Sequence, residues 1–535
     1  MDFKKIIVII ICIIFFKSFL FAQQNTILII ADDVSPDYFS AFSKNTDTAN
    51  TPNINTLVKK GIRFNKVWSS PVCSPTRAGI FTGRYSFRTG VGEVIVNASS
   101  PQLDTSELSI AKLLKWYAPI KYNTANVGKW HLHTTAVNQR LYPNLMGYDF
   151  YKGNFNGAIS NYFNYPIIVN GKIDTAKKYA TTQTVDDVIS WMDTMNSSKP
   201  FFLWVAFNAP HAPFHLPPSN LCNTVGLSGT TTDINQNPKK YFKAAIEAMD
   251  TEIGRLLQYL NSKNKLDSTN IIFIGDNGNE NQVAQILNPK KAKGTIYDYG
   301  VRVPMTISGP AVINPGRDCD EPINTIDIFA TIVDLSGFYN WKTYIPNGKI
   351  VDSKSFFPII KNQSNTKRTW IFSEIFKTTT DSFDGKTIRN KDFHLLRFSN
   401  GKEAFYNQTL DIEENNDLTL TSMTSIEIQN YTSLCDTLNS LISTGNCKSF
   451  NSTNLENFSK DDNNKMLFQF SNDELIIDNY NVKELDIYDI IGNDQRVKIE
   501  NHIDLSFLSN GLYLIVFKLQ NGNIVKSRLL RNKSY

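Results

Sequence analysis

The chain of 535 residues has little cysteine, little histidine and no excess of charge. It holds six of each of those residues, and 55 Lys and Arg stand against 50 Asp and Glu, a formal net charge of +5. So even a balance excludes the strong basic patch or stripe that nucleic-acid binding requires, and no nucleic-acid partner is expected. Long apolar runs are equally scarce. Beyond residue 22 no stretch is long and apolar enough to cross a bilayer, so no transmembrane span is expected once the N-terminus is removed. What remains is ordinary for a globular protein: 41% hydrophobic, 12% aromatic and 20% charged. The length exceeds what one core organises, so two or more domains are expected.

The one extended apolar run opens the chain. Lys4 and Lys5 precede Ile6 to Phe16, and Phe21-Ala22-Gln23 offers a cleavage point after Ala22. Residues 1–22 read as a secretory signal peptide. A membrane anchor is the alternative, and Lys17 weakens it by interrupting the run. Cys12 leaves with the signal, so Cys73, Cys222, Cys319, Cys435 and Cys447 remain. Cys435 and Cys447 are close enough in sequence to pair. Cys222 with Cys319 is a second pairing, without support from spacing. An odd cysteine in an exported chain is worth tracing, and Cys73 is the one left over.

Three apolar runs share one design. Thr26 to Ile30 ends in Ala31-Asp32-Asp33, Phe201 to Phe207 in Asn208-Ala209-Pro210-His211, and Ile271 to Ile274 in Gly275-Asp276-Asn277-Gly278. Such runs suit strands buried on both faces, and open α/β sheets place their sites beyond the carboxyl ends of the strands. Helical spacing alternates with them, as in Tyr241 to Leu260. Residues 23–365 therefore predict a doubly wound, mainly parallel α/β domain. Over 366–448 the texture changes to short strands, Trp370 to Glu374, Thr387 to Phe398 and Glu403 to Tyr406, with Asn400-Gly401 as a hairpin signal and one helix around Tyr431 to Leu441. This predicts a smaller α+β subdomain. Residues 449–466 read as a polar linker, and 467–535, with short strands at Leu485 to Gly492 and Gly511 to Phe517, as a terminal β-sandwich.

Cys73-Ser74-Pro75-Thr76-Arg77 opens a predicted short helix through Phe81, with Pro75 in its first turn. Backbone N–H groups at such a start favour anions. On chemistry alone Cys73 is either a thiolate nucleophile or a small buried residue.

The run Cys73 to Arg84 resembles the signature of the formylglycine-dependent (type I) sulfatases, whose fold is alkaline-phosphatase-like. The resemblance extends over roughly residues 24–420, through Asp32-Asp33, Gly128-Lys129-Trp130-His131, Pro210-His211-Ala212-Pro213, Gly275-Asp276-Asn277-Gly278 and Lys293-Gly294-Thr295. Thr76, Phe81, His133 and Asp298-Tyr299 depart from the usual pattern. The resemblance implies that Cys73 is oxidised to formylglycine by a formylglycine-forming enzyme. It implies that Asp32, Asp33, Asp276, Asn277 and residue 73 hold a divalent cation; oxygen-only ligation suits Ca²⁺, with Mg²⁺ as the alternative. It further implies that Arg77 and Lys129 stabilise the hydrated aldehyde, that His131 is a base, and that His211 and Lys293 grip the sulfate and protonate the leaving oxygen. His133 is placed either at the substrate pocket or on the surface. Arg84 and Arg302 read as ties between loops.

The terminal domain resembles the sorting domain of type IX secretion, carried by Tyr488-Asp489-Ile490-Ile491-Gly492, Ile503-Asp504-Leu505 and Gly511-Leu512-Tyr513-Leu514; a carbohydrate-binding or spacer domain is the alternative. Together these features predict a secreted or cell-surface sulfuric-ester hydrolase acting on a sulfated polysaccharide or oligosaccharide. A phosphodiester or phosphonate hydrolase of the same superfamily, and a catalytically silent glycan-binding protein, are the competing readings.

Overall fold

The computed structural model describes residues 24–450, apart from 197, 364–367, 379–383, 422 and 443–445, and within 469–531 the strands and a few flanking positions. The predicted signal peptide and all but the first two residues of the predicted linker lie outside the described residues. The chain falls into two compact units, 1–415 and 416–535.

In the first unit, strands numbered in chain order are β1 (Asn25–Ala31), β2 (Gly61–Phe64), β3 (Val67–Trp68), β4 (Asn123–Gly128), β5 (Phe150–Gly153), β6 (Tyr165–Val169), β7 (Lys172–Ala176), β8 (Phe201–Ala206), β9 (Thr269–Gly275), β10 (Met305–Ser308), β11 (Arg317–Cys319) and β12 (Ile323–Asn324). Ten of them form one sheet in the order β11-β2-β10-β9-β1-β8-β4-β5-β6-β7. The apolar runs explain its centre. Side chains alternate between faces along a strand, so a strand apolar at every position must be covered on both sides. Leu28, Ile30, Phe202, Trp204, Ile272 and Ile274 enter one core with the helices Cys73–Thr82 and Asp327–Leu335. Ile27, Ile29, Leu203, Val205, Ile271 and Phe273 enter the other, with Ala180–Thr194 and Pro238–Ser262.

The sheet is more mixed than expected. The run β9-β1-β8-β4-β5 is parallel. However, β10 runs antiparallel between β9 and β2, and β5, β6 and β7 pair antiparallel. The β6–β7 hairpin has a local cause: Asn170 and Gly171 both take positive φ, the two-residue turn that matches strand twist.

A four-stranded antiparallel sheet follows: β13 (Ile371–Ile375), β14 (Gly385–Arg389), β15 (Phe393–Phe398) and β16 (Glu403–Asn407). The expected strand over 387–398 is two strands. Asn390 Oδ1 accepts from the backbone N–H of Asp392 and Phe393 and turns the chain between them. Asn400-Gly401 makes its hairpin, with Gly401 at φ 81°.

In the second unit the helix Ser425–Ile442 buries Tyr431, Leu434, Cys435 and Leu438, and Cys435 is disulfide-bonded to Cys447. The second pairing does not form. Cys222 and Cys319 pack against cores on opposite faces of the sheet. The terminal strands are β17 (Gln469–Ser471), β18 (Glu474–Ile476), β19 (Val482–Asp489), β20 (Asp494–Arg496), β21 (His502–Asp504), β22 (Gly511–Leu519) and β23 (Ile524–Arg531). They form antiparallel sheets β17-β18-β21 and β20-β19-β22-β23. Leu475 and Ile503 of one sheet share a core with Leu485, Ile487, Ile515 and Phe517 of the other.

Candidate active site

Four neighbouring strand ends deliver the polar residues. β1 leads into Asp32 and Asp33, β4 into Lys129 and His131, β8 into Asn208 and His211, and β9 into Asp276 and Asn277. Backbone bonds carry the sheet past its last paired residues: Asp32 N–H donates to Ala209 O (3.1 Å), Asp276 N–H to Ala31 O (3.1 Å) and Lys129 N–H to Ala206 O (2.9 Å). Gly128 sits at φ 101°, and a Cβ there would lie 1.9 Å from Ala206 O, so only glycine permits this approach. Asp33 and His131 adopt left-handed φ of 64° and 55°. Such conformations are costly for non-glycine residues and cluster at functional sites.

The helix Cys73–Thr82 is buried along its whole length and presents its first residue to these strand ends. Cys73 Sγ lies 3.0 Å from His131 Nδ1. His131 Nε2 lies 3.0 Å from Ile95 O, which makes it the protonated nitrogen and leaves Nδ1 as acceptor. Ser74 Oγ donates to His131 O at 2.8 Å and locks the histidine loop to the helix. One helical turn on, Arg77 donates to Asp276 Oδ2 through Nη2 (2.8 Å) and Nε (3.1 Å) and to Lys129 O through Nη1 (3.0 Å).

The floor is an ion lattice in which Asp32, Asp33 and Lys129 are closed to solvent while Lys293 and His211 stay partly exposed. Lys129 Nζ pairs with Asp32 Oδ2 at 2.5 Å and Lys293 Nζ with Asp33 Oδ2 at 2.5 Å. His211 Nε2 lies 3.4 Å from the same Asp33 oxygen and 3.3 Å from Lys293 Nζ. Burial opposes ionisation of Asp33, but His211, Lys293 and Lys129 outweigh it and hold its carboxyl well below the usual range. Burial dominates at Asp32 and pushes its carboxyl up against the pull of Lys129. Burial would also lower Lys293, yet Asp33 keeps its ammonium charged. His131 is held neutral by burial together with Lys129 and Arg77, and burial takes His211 down to about 4. The Cys73 thiol is pushed up by burial, so the unmodified sulfur is a poor nucleophile.

The residues present fit a hard cation. Asp32 Oδ1 and Asn277 Oδ1 are buried acceptors with no hydrogen-bond donor. Asn277 has turned its amide away, donating from Nδ2 to Asp33 Oδ1 at 2.7 Å and to Gly278 O at 3.0 Å. Asp276 Oδ1 accepts from Asp33 N–H, which fixes the third carboxylate beside the first two. Three carboxylates and an amide oxygen, two of their atoms orphaned, form an oxygen set for Ca²⁺ or Mg²⁺. Asp32, Asp33 and His211 also offer ligand atoms within 4.8 Å of one another.

The predicted residues Asp32, Asp33, Cys73, Arg77, Lys129, His131, His211, Asp276, Asn277 and Lys293 thus come together. His133 does not join them, nor does it lie on the surface. Its ring is buried and stacks on Trp130; Nδ1 accepts from Trp130 Nε1 at 3.0 Å and Nε2 faces Leu103 O at 2.6 Å, so both nitrogens are occupied by the core. Arg84 donates to Ile350 O and Arg88 O, and Arg302 to Asp298. The departure at Asp298-Tyr299 is structural: Tyr299 packs its hydroxyl among Asp37, Asn279 and the Gln285 N–H. Two residues escape sequence reasoning. Glu280 lies 3.5 Å from Lys293 Nζ at the rim, and Tyr162 donates to Asn208 O and His211 O. Only the short step from Asn277 to Glu280 marks the first; nothing local marks the second.

Comparison with known proteins agrees with this geometry. The chain is 26% identical over 386 residues to the ulvan-active sulfatase of Formosa agariphila, covering 69% of this chain and 72% of that protein. It is 28% identical over 352 residues to the uncharacterized sulfatase YdeN of Escherichia coli (strain K12), of which the match spans 60%. Among solved structures, Ps i-CgsB in complex with k-i-k-neocarrahexaose aligns with TM-score 0.66 and 25% identity, covering 81% of this chain and 95% of that one. BT4656 in complex with its substrate D-glucosamine-2-N,6-O-disulfate shares the fold, with TM-score 0.62 and 21% identity over 79% and 98% of the two chains. Residues 291–441 match the C-terminal region of N-sulphoglucosamine sulphohydrolase. Residues 24–338, more than half of the chain, match the sulfatase family, and the protein belongs to it.

Proposed function

We propose that the protein is an exported sulfuric-ester hydrolase that releases inorganic sulfate from a sulfated polysaccharide or oligosaccharide, with residue 73 converted to formylglycine and Ca²⁺ or Mg²⁺ held by Asp32, Asp33, Asp276 and Asn277. The observation that carries this reading is the pairing of Cys73, buried at the start of its helix with a raised thiol pKa, with the orphaned oxygens Asp32 Oδ1 and Asn277 Oδ1. When formed, the hydrated aldehyde supplies an oxygen nucleophile and a second hydroxyl whose loss of a proton frees the sulfate. When bound, the cation polarises a sulfate oxygen.

The remaining work falls to side chains already in place. Arg77 and Lys129 set positive charge beside residue 73 and offset the charge of the Asp32 and Asp276 carboxylates. His131, neutral and with Nδ1 turned to residue 73, accepts a proton there. Lys293, charged, grips the sulfate and stands with His211 where the leaving oxygen takes its proton. Cations aimed at developing charge in a dry site are a large source of rate enhancement.

Export is supported by the Cys435–Cys447 disulfide, since such bonds persist in oxidising compartments. Residues 1–22 as signal peptide, 23–365 as catalytic domain, 366–448 as subdomain and 467–535 as a type IX sorting domain complete the proposal, with the secretion machinery and a formylglycine-forming enzyme as partners. A sulfated carbohydrate is favoured because relatives named for such substrates match the chain. The test is sulfate release from a panel of sulfated glycans by protein co-produced with a formylglycine-forming enzyme, beside phosphate diesters and phosphonates. Faster turnover of the phosphorus esters, or full activity in Cys73→Ala, overturns the reading.

A further inference from the structure

The wall beside the catalytic histidines is one loop, residues 154–164, fastened at several points to the residues it flanks. Trp130 N–H donates to Asn154 O at 2.9 Å and His131 N–H to Phe155 O at 3.1 Å. Gly157 lies against the His131 ring so closely that a Cβ would sit 2.4 Å from its Cε1. At the far end the Tyr162 hydroxyl donates to Asn208 O (2.7 Å) and His211 O (2.6 Å). The loop is thus rigidly placed against both halves of the site.

Its outer face has a definite chemistry. From Gly153 to Gly171 the chain carries no charged side chain. Asn156, Ser160, Asn161 and Asn164 are exposed amides and a hydroxyl, and Phe163 is 42% exposed among them. Phe163 is backed, not isolated. Its ring stands 5.3 Å from that of Tyr179, Tyr162 stacks on His215 at 3.8 Å, and His215 Nε2 meets Tyr179 OH at 3.1 Å. The Phe163 N–H donates to Asn161 Oδ1 at 2.8 Å, which fixes the turn that lifts the ring. An aromatic face fringed by neutral hydrogen-bonding groups recognises the apolar face and hydroxyls of a sugar ring, and the loop itself carries no side chain to pair with a second anion.

We infer that this wall is a subsite in which an uncharged pyranose, joined to the sulfated sugar whose ester sits at residue 73, stacks on Phe163. The inference rests on the sulfatase reading above and adds a requirement: the neighbouring sugar bears no sulfate or carboxylate on the side facing the wall.

The test uses formylglycine-bearing full-length protein as wild type, Phe163→Ala and Phe163→Trp, with melting temperatures to check folding. The substrates are an aryl sulfate and a panel of carrageenan, ulvan, fucan, chondroitin and heparan oligosaccharides. On the best oligosaccharide, Phe163→Ala is expected to lower kcat/KM about tenfold, mostly through KM, with Phe163→Trp restoring most of the loss. The loss on the aryl sulfate is expected to be smaller. Equal losses on both substrates, no loss on the oligosaccharide, or a preference for oligosaccharides charged on the neighbouring sugar would overturn the subsite. Wild-type turnover of the aryl sulfate but of no oligosaccharide would overturn the subsite and spare the activity. No sulfate release from any substrate would overturn the activity itself.

Discussion

Two buried ionic clusters lie in the same unit, and they are built to different ends. At the strand tips, Asp32, Asp276, Arg77 and Lys129 are closed to solvent, yet Asp32 Oδ1 and the neighbouring Asn277 Oδ1 find no donor. Around Asp298, where the Asp298-Tyr299 segment meets β14 and β15, the balance is complete. Asp298 accepts from Trp68 Nε1 (2.8 Å), Arg302 Nε (2.8 Å) and Arg389 Nη1 (3.2 Å), and its N–H donates to Glu414. Glu414 in turn accepts from Gln408 and pairs with His394. Both clusters pair carboxylates with basic side chains. The difference is satisfaction: a structural cluster closes on itself, whereas a working one keeps oxygen atoms in reserve for a ligand.

The largest effect expected from this contrast is at the strand tips. Cys73→Ala should reduce sulfate release at least 10⁴-fold while leaving the melting temperature nearly unchanged, and a chelator should abolish wild-type activity until Ca²⁺ or Mg²⁺ is returned. A chelator without effect would break the parallel between orphaned oxygens and a cation. Next comes the closed cluster. Asp298→Ala leaves the buried Arg389 and the partly exposed Arg302 without their shared carboxylate, and a loss of about 3 kcal/mol is expected by denaturant unfolding. Activity per folded molecule should hold. If activity falls and stability does not, the two clusters have been assigned the wrong way round.

A third, intermediate case lies behind the Cys73 helix. Glu374 accepts from Phe87 N–H through Oε1, while Oε2 has no hydrogen-bond partner, and the residue lines a small cavity with Pro75 and Gly79. Burial lifts its carboxyl from the ordinary 4.5 to about 7, against the opposing pull of that N–H. Between those values the folded protein binds the proton and the unfolded chain does not, so this residue makes stability fall as pH rises. Glu374→Gln is expected to gain up to about 3 kcal/mol at pH 8 and almost nothing at pH 4. An effect of similar size and opposite pH dependence belongs to His133, which burial holds at about 4 against an ordinary 6.5. Here the unfolded chain binds the proton first. The contribution is therefore whole above pH 6.5 and lost as pH falls towards 4. His133→Gln should flatten that acid limb by up to about 3 kcal/mol in melts across the range, and an unchanged limb would remove His133 from the account.

How much of this was legible beforehand follows from the range of each signal. Strands apolar at every position announce burial on both faces, so the centre of the sheet and its polar tips could be read from Thr26 to Asp33 or Ile271 to Asn277 alone. Resemblance supplied the lysines, since Lys129 and Lys293 have nothing local to set them apart from surface lysines. The antiparallel flank carries its own signal in Asn170-Gly171, the same dipeptide that marks the hairpin at Asn400-Gly401. His133 is hard to place from sequence because a histidine beside proposed catalytic residues looks available, and its fate depends on Trp130 and on Leu103, thirty positions away. Tyr162 was beyond reach for the same reason: its role is defined by two carbonyls on the loop after β8.

The burial of the Cys73 helix also sets a clock. Cys73 is 1% exposed and every residue through Thr82 is enclosed with it, so no second enzyme can grip this segment in the finished fold. On the proposed reading, oxidation and folding compete for the same nascent stretch, and whichever is faster decides the fate of each molecule. Specific activity would then measure history as much as structure. Two preparations with identical sequence and identical melting curves can differ in turnover simply because one chain folded sooner after it was made.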